Sequence, residues 1–181
     1  MIRFRQMQWL LSGNNMKVYL GTDHAGFALK EKVKTFLQEK GYDVFDCGAY
    51  EFQKDDDYPD YIGITAEKVV QDGSCKGIIF GGSGQGEAMV ANKFKHIRCA
   101  VFYTRAIPVE AADVTGRTSD DPFEIVRLAR LHNDANILSL SARFLAEEDA
   151  LQAVQIFLET NYVQEERHER RIEKMKRIEG E

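Results

Sequence analysis

The sequence predicts an α/β protein built on a parallel sheet, and three observations support this fold class. Five short apolar runs alternate with amphipathic helical patterns along the whole chain, as expected of β-α-β units with right-handed crossovers. Glycine or polar residues follow several of these runs, where a strand would end. The length of 181 residues, with 44% hydrophobic and 29% charged residues, suits one globular domain.

The elements follow in order from hydrophobic periodicity. Each predicted strand is a short buried run, and each predicted helix repeats apolar residues at nearly helical spacing, as Phe27, Val33, Phe36 and Leu37 do. Gly41 stands where a helix C-cap belongs. The strands are expected at 17–21, 42–46, 76–80, 99–103 and 135–140, and the helices at 27–40, 60–72, 87–95, 122–131, 147–160 and 163–179.

Composition and termini exclude several classes of function. A net charge of −5 argues against nonspecific nucleic-acid binding, and no apolar run reaches the ~20 residues of a membrane helix. The apolar stretch Trp9-Leu10-Leu11 is too short for a signal peptide, so residues 1–15 are interpreted as an N-terminal extension of a single domain over 16–181. Three cysteines without C-x-x-C spacing predict neither a zinc site nor a disulfide framework, and a reducing cytoplasm is expected.

Ligands of parallel α/β sheets bind beyond the carboxyl ends of the strands. Three such ends carry polar or glycine-rich segments, at 22–24, 81–86 and 103–105. The run from Gly82 to Glu87 lacks the spacing of a nucleotide-binding loop, but its glycines allow close backbone approach to a ligand. A helix beginning near Glu87 would offer free N–H groups to an anion; the alternative is a tight turn with a capping glutamate.

Other candidate residues also admit structural explanations. Asp23 and His24 could bind a sugar hydroxyl and an anion, or serve as an N-cap beside an exposed histidine. His132, in a predicted loop with Asn133, could donate a proton or belong to a polar helix terminus. That loop precedes the fifth strand, so it lies at the end of the sheet opposite the crevice. This position suggests that His132 would serve a site on a second subunit. Arg167 and Arg171 share a helix face suited to phosphate, or belong to a solvated charged helix.

Taken together, these segments resemble the type B ribose-5-phosphate isomerases, a family shared with the galactose-6-phosphate isomerase subunits. The matching segments occur in family order over residues 16 to about 178. They are Gly21 to Phe27, Asp57-Tyr58-Pro59, Gly81 to Glu87 with Ala91-Asn92-Lys93, His132 to Asn136, Ser141-Ala142-Arg143 and Arg167 to Arg171.

The resemblance implies a flavodoxin-like (Rossmann-like) three-layer α/β/α sandwich with a five-stranded parallel sheet. It implies cofactor-independent, metal-free interconversion of ribose 5-phosphate and ribulose 5-phosphate through a cis-enediolate. The assembly would be a homodimer, or a dimer of dimers, with active sites at the subunit interface and helix 163–179 packed on the partner. The small-molecule partner is a sugar phosphate, with no nucleic acid and no membrane involved.

The resemblance also implies individual roles. One subtype of the family uses a cysteine base directly before the loop; here that position is Gly81, so the base is assigned to Glu87, as in the other subtype. His132 would assist ring opening. Enediolate contacts are implied for Gly82, Ser83, Gly84, Gln85 and Gly86, a hydroxyl contact for Asp23, a substrate contact for Asn133, and phosphate contacts for His24, Arg143, Arg167 and Arg171.

The chain departs from the family at about 105–120, where typical members are shorter by roughly a dozen residues. This insertion is expected to act as a lid over the crevice or to extend the dimer interface. Three alternatives remain open: an isomerase of a six-carbon aldose 6-phosphate such as allose or galactose 6-phosphate, a sugar-phosphate-binding homologue without catalysis, and a nucleotide or flavin module.

Overall fold

A computed structural model describes residues 16–180, and in this part of the chain all five strands pair in parallel. The sheet order is β2-β1-β3-β5-β4, so β1, β3 and β5 lie side by side at the centre. This arrangement confirms the predicted α/β fold class. The strands are β1 Lys17–Thr22, β2 Asp43–Asp46, β3 Lys76–Gly81, β4 Cys99–Phe102 and β5 Ile137–Ser141.

The helices cover both faces of the sheet. Most of their bounds agree with the periodicity to within a few residues. The helices are α1 Phe27–Glu39, α2 Tyr58–Gln71, α3 Gln85–Ala91, α4 Glu124–Asn133, α5 Glu147–Glu159 and α6 Glu166–Ile178.

Two helix boundaries bear on the site and differ from the prediction. Helix α3 begins at Gln85 rather than near Glu87, because Gly84 takes a left-handed conformation with φ of 73° that ends the loop earlier. Helix α4 continues through His132 to Asn133, and Asp134 closes it in a left-handed conformation with φ of 43°, which short polar side chains tolerate. The prediction that His132 and Asn133 lie in a loop is therefore wrong.

Within residues 16–180, the buried side chains form two core clusters, one on each face of the sheet. Phe80 and Leu138 pack with α1, α4 and α5 on one face. Ile79 and Ile137 pack with α2 and α3 on the other. The central strands are buried on both faces, which explains why they read as continuous apolar runs rather than as alternating ones. The result is the expected three-layer sandwich.

The segment after β2 is fastened to the end of β1. Lys30 is fully buried, and its Nζ donates to Asp46 Oδ1 and to the carbonyl of Ala49, both at 2.6 Å. The backbone of Thr22 bonds Gly48 and Ala49 at 2.9 and 2.8 Å. These contacts bring the acidic loop before α2 to the carboxyl edge of the sheet.

The insertion contains no helix or strand; residues 103–123 form an irregular segment after the carboxyl end of β4. Arg117 pairs with Asp113 and with the buried carboxylate of Glu124 at the start of α4. Residues 106–108 and 110–112 line a pocket with Ile125 and Leu128, so this segment lies against α4. Its role as a lid stays a prediction.

The predicted N-terminal extension and the search for membrane-spanning helices complete the description of the fold. The expected extension over 1–15 lies outside the described residues. Within residues 16–180, no helix is long and apolar enough to cross a membrane.

Candidate active site

Three central strands deliver candidate residues to one edge of the sheet. Asp23 and His24 follow β1, the glycine-rich loop follows β3, and Arg143 follows β5. Because these strands are parallel neighbours, their carboxyl ends meet at the same edge. The structure thereby brings together most of the predicted site, namely Asp23, His24, Gly82, Ser83, Gly84, Gln85, Gly86, Glu87 and Arg143.

Glu87 is buried in the first turn of α3, with 5% of its surface exposed. Its carboxylate occupies the space beside Gly81, where any Cβ on residue 81 would overlap Glu87 Cδ and both carboxylate oxygens. Burial raises the pKa of Glu87, and the nearby charge of Asp23 raises it further. A carboxylate with a raised pKa is a stronger base, which suits proton abstraction near neutral pH.

The glycine loop packs too tightly to carry side chains at two positions. A Cβ on Gly84 would lie 3.0 Å from Ser139 Oγ, whose hydroxyl donates to the Gly84 carbonyl at 2.7 Å. A Cβ on Gly86 would lie 2.8 Å from the Tyr58 ring. Ser83 Oγ accepts the N–H of Gln85 at 3.4 Å. The first amides of α3 have no carbonyl partner inside the helix, and the Gln85 N–H is the one that Ser83 Oγ accepts.

Arg143 completes this edge of the site. Its backbone N–H bonds the Gly82 carbonyl at 3.1 Å, and its guanidinium lies 3.3 Å from where a Cβ on Gly82 would stand. The cation is therefore held directly over the glycine loop. A guanidinium in this position provides donors for phosphate oxygens.

Asp23 and His24 lie beside a third residue, Asp56. Asp23 is 5% exposed, and its Oδ1 accepts the N–H of Ala25 at 2.9 Å rather than capping α1. His24 Nδ1 lies 2.8 Å from Asp56 Oδ1 and 3.8 Å from Asp23 Oδ2. The three side chains place one potential metal ligand each within 4.8 Å of one another, but His24 Nδ1 and Asp56 Oδ1 already satisfy each other by hydrogen bonding.

The remaining predicted residues lie at the opposite edge of the sheet. The His132 ring stacks on the ring of His168 in α6, with centroids 4.4 Å apart and planes at 15°. Burial, His168 and Arg167 together lower the pKa of His132, which favours the neutral imidazole. Arg167 Nε bonds His168 Nε2 at 3.2 Å and pairs with Glu165 at 2.8 Å. Asn133 and Arg171 are exposed at this end.

One chain therefore does not assemble the whole predicted set. His132 precedes β5 and Arg143 follows it, so the five residues of β5 separate them by roughly 16 Å. The two groups lie at opposite edges of the same sheet. That His132 serves a second subunit stays a prediction.

The cysteines have the properties of structural residues. Cys47 and Cys75 are buried; burial raises the pKa of Cys47 and raises that of Cys75 to about 11. Cys99 begins β4 and is half-buried, and burial again raises its pKa. None of the three is positioned as a thiolate nucleophile.

Sequence reasoning missed two residues that contact the predicted site. Asp56 was part of an acidic loop without an assigned role, and His168 was read only as part of a charged helix. The signal for Asp56 is slight, because one aspartate in a run of three cannot be singled out without the loop conformation. His168 is 1% exposed, which is unusual for a polar residue in so charged a helix.

Fold and site together define a class of protein: an α/β protein with a buried carboxylate, Glu87, at a glycine-rich loop beside Arg143. The model of the Ribose/Galactose Isomerase family matches residues 18–175. The chain is 37% identical to ribose-5-phosphate isomerase B of Mycolicibacterium paratuberculosis over 158 residues, covering 87% of this chain and 88% of that protein.

Solved structures of similar proteins support the same family assignment. Ribose-5-phosphate isomerase B from Mycoplasma genitalium, crystallised with bound ribulose-5-phosphate, superposes with a TM-score of 0.79 at 32% identity, covering 92% of this chain and 97% of that one. The type B enzyme from Trypanosoma cruzi gives a TM-score of 0.77 at 31% identity, with 92% and 97% covered. The chain belongs to the Ribose/Galactose Isomerase family, as its sequence motifs predicted.

Proposed function

We propose that this protein interconverts ribose 5-phosphate and ribulose 5-phosphate, with Glu87 as the base. The observation that carries the proposal is the buried Glu87 carboxylate, packed against Gly81 at the glycine loop. The names of its relatives and the ribulose-5-phosphate in the Mycoplasma structure supply the substrate class.

The proposed reaction moves one proton between adjacent carbons. Glu87 takes the proton from C2 of the open-chain aldose, and the electron pair forms the C1–C2 double bond as the C1 carbonyl becomes an oxyanion. The protonated Glu87 then returns the proton to C1, while the C2 hydroxyl proton passes to the C1 oxyanion, so that C2 becomes the carbonyl and C1 carries the hydroxyl. One carboxylate reaches both carbons, because the cis-enediolate is planar.

Groups near Glu87 have supporting roles. Amides of Gly82 to Gly86 and the hydroxyl of Ser83 would stabilise the enediolate oxygens, a contribution that often exceeds that of the base. Asp23 would accept hydroxyl hydrogen bonds from the sugar. His24 and Arg143 would bind the phosphate, whose binding energy positions the reacting carbons.

The catalytic unit in this proposal is a homodimer. His132, Asn133, Arg167 and Arg171 of a second copy would complete the site, with His132 opening the furanose ring. Two exposed side chains support such an interface: Met89 and Tyr103, beside the edge strand β4, are 66% and 42% exposed. The substrate places the reaction in the pentose phosphate pathway, and three free thiols suit the cytoplasm.

The first test is ribulose 5-phosphate formation by the purified protein with a chelator present. Turnover by the wild type and none by Glu87→Gln would support both the reaction and its base. Normal activity of Glu87→Gln would remove Glu87 from the mechanism. Because the insertion after β4 could reshape the pocket, allose 6-phosphate and galactose 6-phosphate are assayed in parallel; turnover of these alone would favour a six-carbon substrate.

The second test asks whether sites form between subunits. Glu87→Gln and His132→Asn are each expected to be inactive as homodimers. Mixed by unfolding and refolding together, they form heterodimers in which one site has wild-type Glu87 and His132. Random pairing should restore about a quarter of wild-type activity. Mixtures that stay inactive, despite heterodimers seen by native mass spectrometry, would refute the shared site.

A further inference from the structure

One carboxylate oxygen of Asp56 contacts two nitrogen atoms of His24. Asp56 Oδ1 accepts the backbone N–H of His24 at 2.9 Å and lies 2.8 Å from its Nδ1. The Asp56 side chain is 5% exposed, whereas that of His24 is 27% exposed. The contact fixes both the backbone and the ring of His24, and it leaves Nε2 as the ring nitrogen available to a ligand.

The carboxylates of Asp23 and Asp56 both lie close to the ring of His24. Asp23 Oδ2 lies 3.8 Å from Nδ1, and the rings of His24 and Phe52 are perpendicular, with centroids 6.3 Å apart. Asp56 Oδ2 is buried, and the phenol of Tyr61 lies beside this carboxylate: burial raises the pKa of Tyr61, and the charge of Asp56 and a hydrogen bond to it raise that pKa further. The hydrogen bond to Asp56 raises the pKa of His24, against the opposing effect of burial.

We propose that Asp56 is a positioning residue that holds His24 as a cation, so that its Nε2–H donates to the phosphate of the substrate. The inference rests on the proposed assignment of His24 to the phosphate site. It adds a residue from the loop before α2 to the groups that control substrate affinity. Asp56 acts only through His24 and does not touch the substrate.

A purely structural role explains Asp56 less well. Lys30 and the Thr22 backbone already fasten the start of this loop to the sheet. Burying a carboxylate disfavours its charged form, so a neutral side chain would serve better if Asp56 only filled space. The cost is offset when the charge stabilises a cation that the site needs.

The experiment compares Asp56→Asn, which keeps the shape and removes the charge, with Asp56→Glu, which keeps the charge. Asp55→Asn is the matched control, because Asp55 is an exposed neighbour. Three quantities are measured in the intact oligomer: the His24 pKa by NMR, assigned with His24→Gln; the inhibition constant of inorganic phosphate against pH; and kcat and KM for ribose 5-phosphate.

A histidine at its ordinary pKa of about 6.5 is only about 10% protonated at pH 7.5. We therefore expect Asp56→Asn to lower the His24 pKa and to weaken phosphate binding up to about tenfold at pH 7.5. The loss should be smaller at pH 6, where the ring protonates without help. KM should rise by a similar factor, while kcat changes less; Asp56→Glu should recover much of the affinity, and Asp55→Asn should match the wild type.

Two results would overturn the inference. One is an unchanged His24 pKa and phosphate pH profile in Asp56→Asn. The other is a wild-type His24 pKa at or below 6.5, which decides the question even if Asp56→Asn fails to fold. Phosphate binding and the NMR titration are independent of turnover. If the wild type binds phosphate through His24 but isomerises no sugar phosphate, the proposed function fails while this inference stands.

Discussion

Gly81→Ala tests the placement of the proposed base more sharply than removal of the base itself. A Cβ on residue 81 would overlap the Glu87 carboxylate, and nonbonded heavy atoms settle at about 3.5–4.0 Å. The carboxylate would have to retreat by roughly 1 Å or more, and a misplacement of about 1 Å can cost 10²-fold in rate. We therefore expect kcat to fall about a hundredfold or more.

The variant should otherwise remain intact. Gly81 pairs with Ser141 in the sheet, and its carbonyl accepts the Ala142 N–H at 2.8 Å, contacts that a methyl group does not remove. Phosphate inhibition and the unfolding temperature should therefore change much less than kcat. Gly63→Ala is the control, because the atom nearest to its added Cβ is Phe94 Cζ at 3.7 Å; it should retain wild-type turnover.

A second substitution tests the steric explanation. Glu87→Asp shortens the side chain and alone should slow the reaction, because the carboxylate no longer reaches the carbons. Combined with Gly81→Ala, it should cost little more than Glu87→Asp alone, since the shorter side chain no longer meets the methyl group. Steady-state assays of the four proteins give this cycle. Wild-type kcat in folded Gly81→Ala would refute the proposed position of the base.

Further variants test the remaining assignments. Glu87→Gln should raise the unfolding temperature at pH 7–8, by about 2–4 °C for each kcal/mol. The raised pKa means that ionised Glu87 destabilises the fold above that pKa, so the gain should vanish near pH 4, and wild-type kcat/KM should fall as the pH drops through the same range. A calorimetric scan with no gain at pH 8 would contradict this. His168→Phe should raise KM more than it lowers kcat, since a ring still supports His132 but the bond from Arg167 is lost; equal losses would argue for a general structural role. Deleting residues 106–118 should alter KM, turnover or assembly, and no change in any of them would refute the lid. Cys75→Ser should retain nearly full activity, and a large loss in a folded variant would return a thiol to the mechanism.

The fold could be predicted because its signals are local. Apolar runs and helical spacing identified every strand and helix, and the rule for parallel sheets located Asp23 and the glycine loop at one edge. The predicted helix boundaries were less accurate where the conformation of a single residue sets the boundary. The left-handed Gly84 starts α3 early, and α4 runs on through His132 because Asp134 can close it.

The parts of the site that could not be predicted depend on contacts between distant segments. Asp56 reaches His24 only because the segment after β2 is fastened to the end of β1. His132 meets His168 only because α6 packs on α4. In the sequence, Gly81 indicated only that the cysteine base of one subtype is missing at this position. The structure gives its positive role, which is to leave room for the carboxylate of Glu87.

The distribution of charge explains why one chain would be a poor catalyst on its own. At the carboxyl edge, Asp23, Asp56 and Glu87 bring three carboxylates to the glycine loop, against two basic side chains there, His24 and Arg143. A doubly charged phosphate needs more positive charge than these two groups supply. Arg167 and Arg171 carry that charge at the opposite edge, beyond the reach of the same chain's loop. Phosphate binding and ring opening would then require the second copy, and proton transfer at Glu87 would follow only on a substrate that both copies hold, which makes association part of the catalytic mechanism.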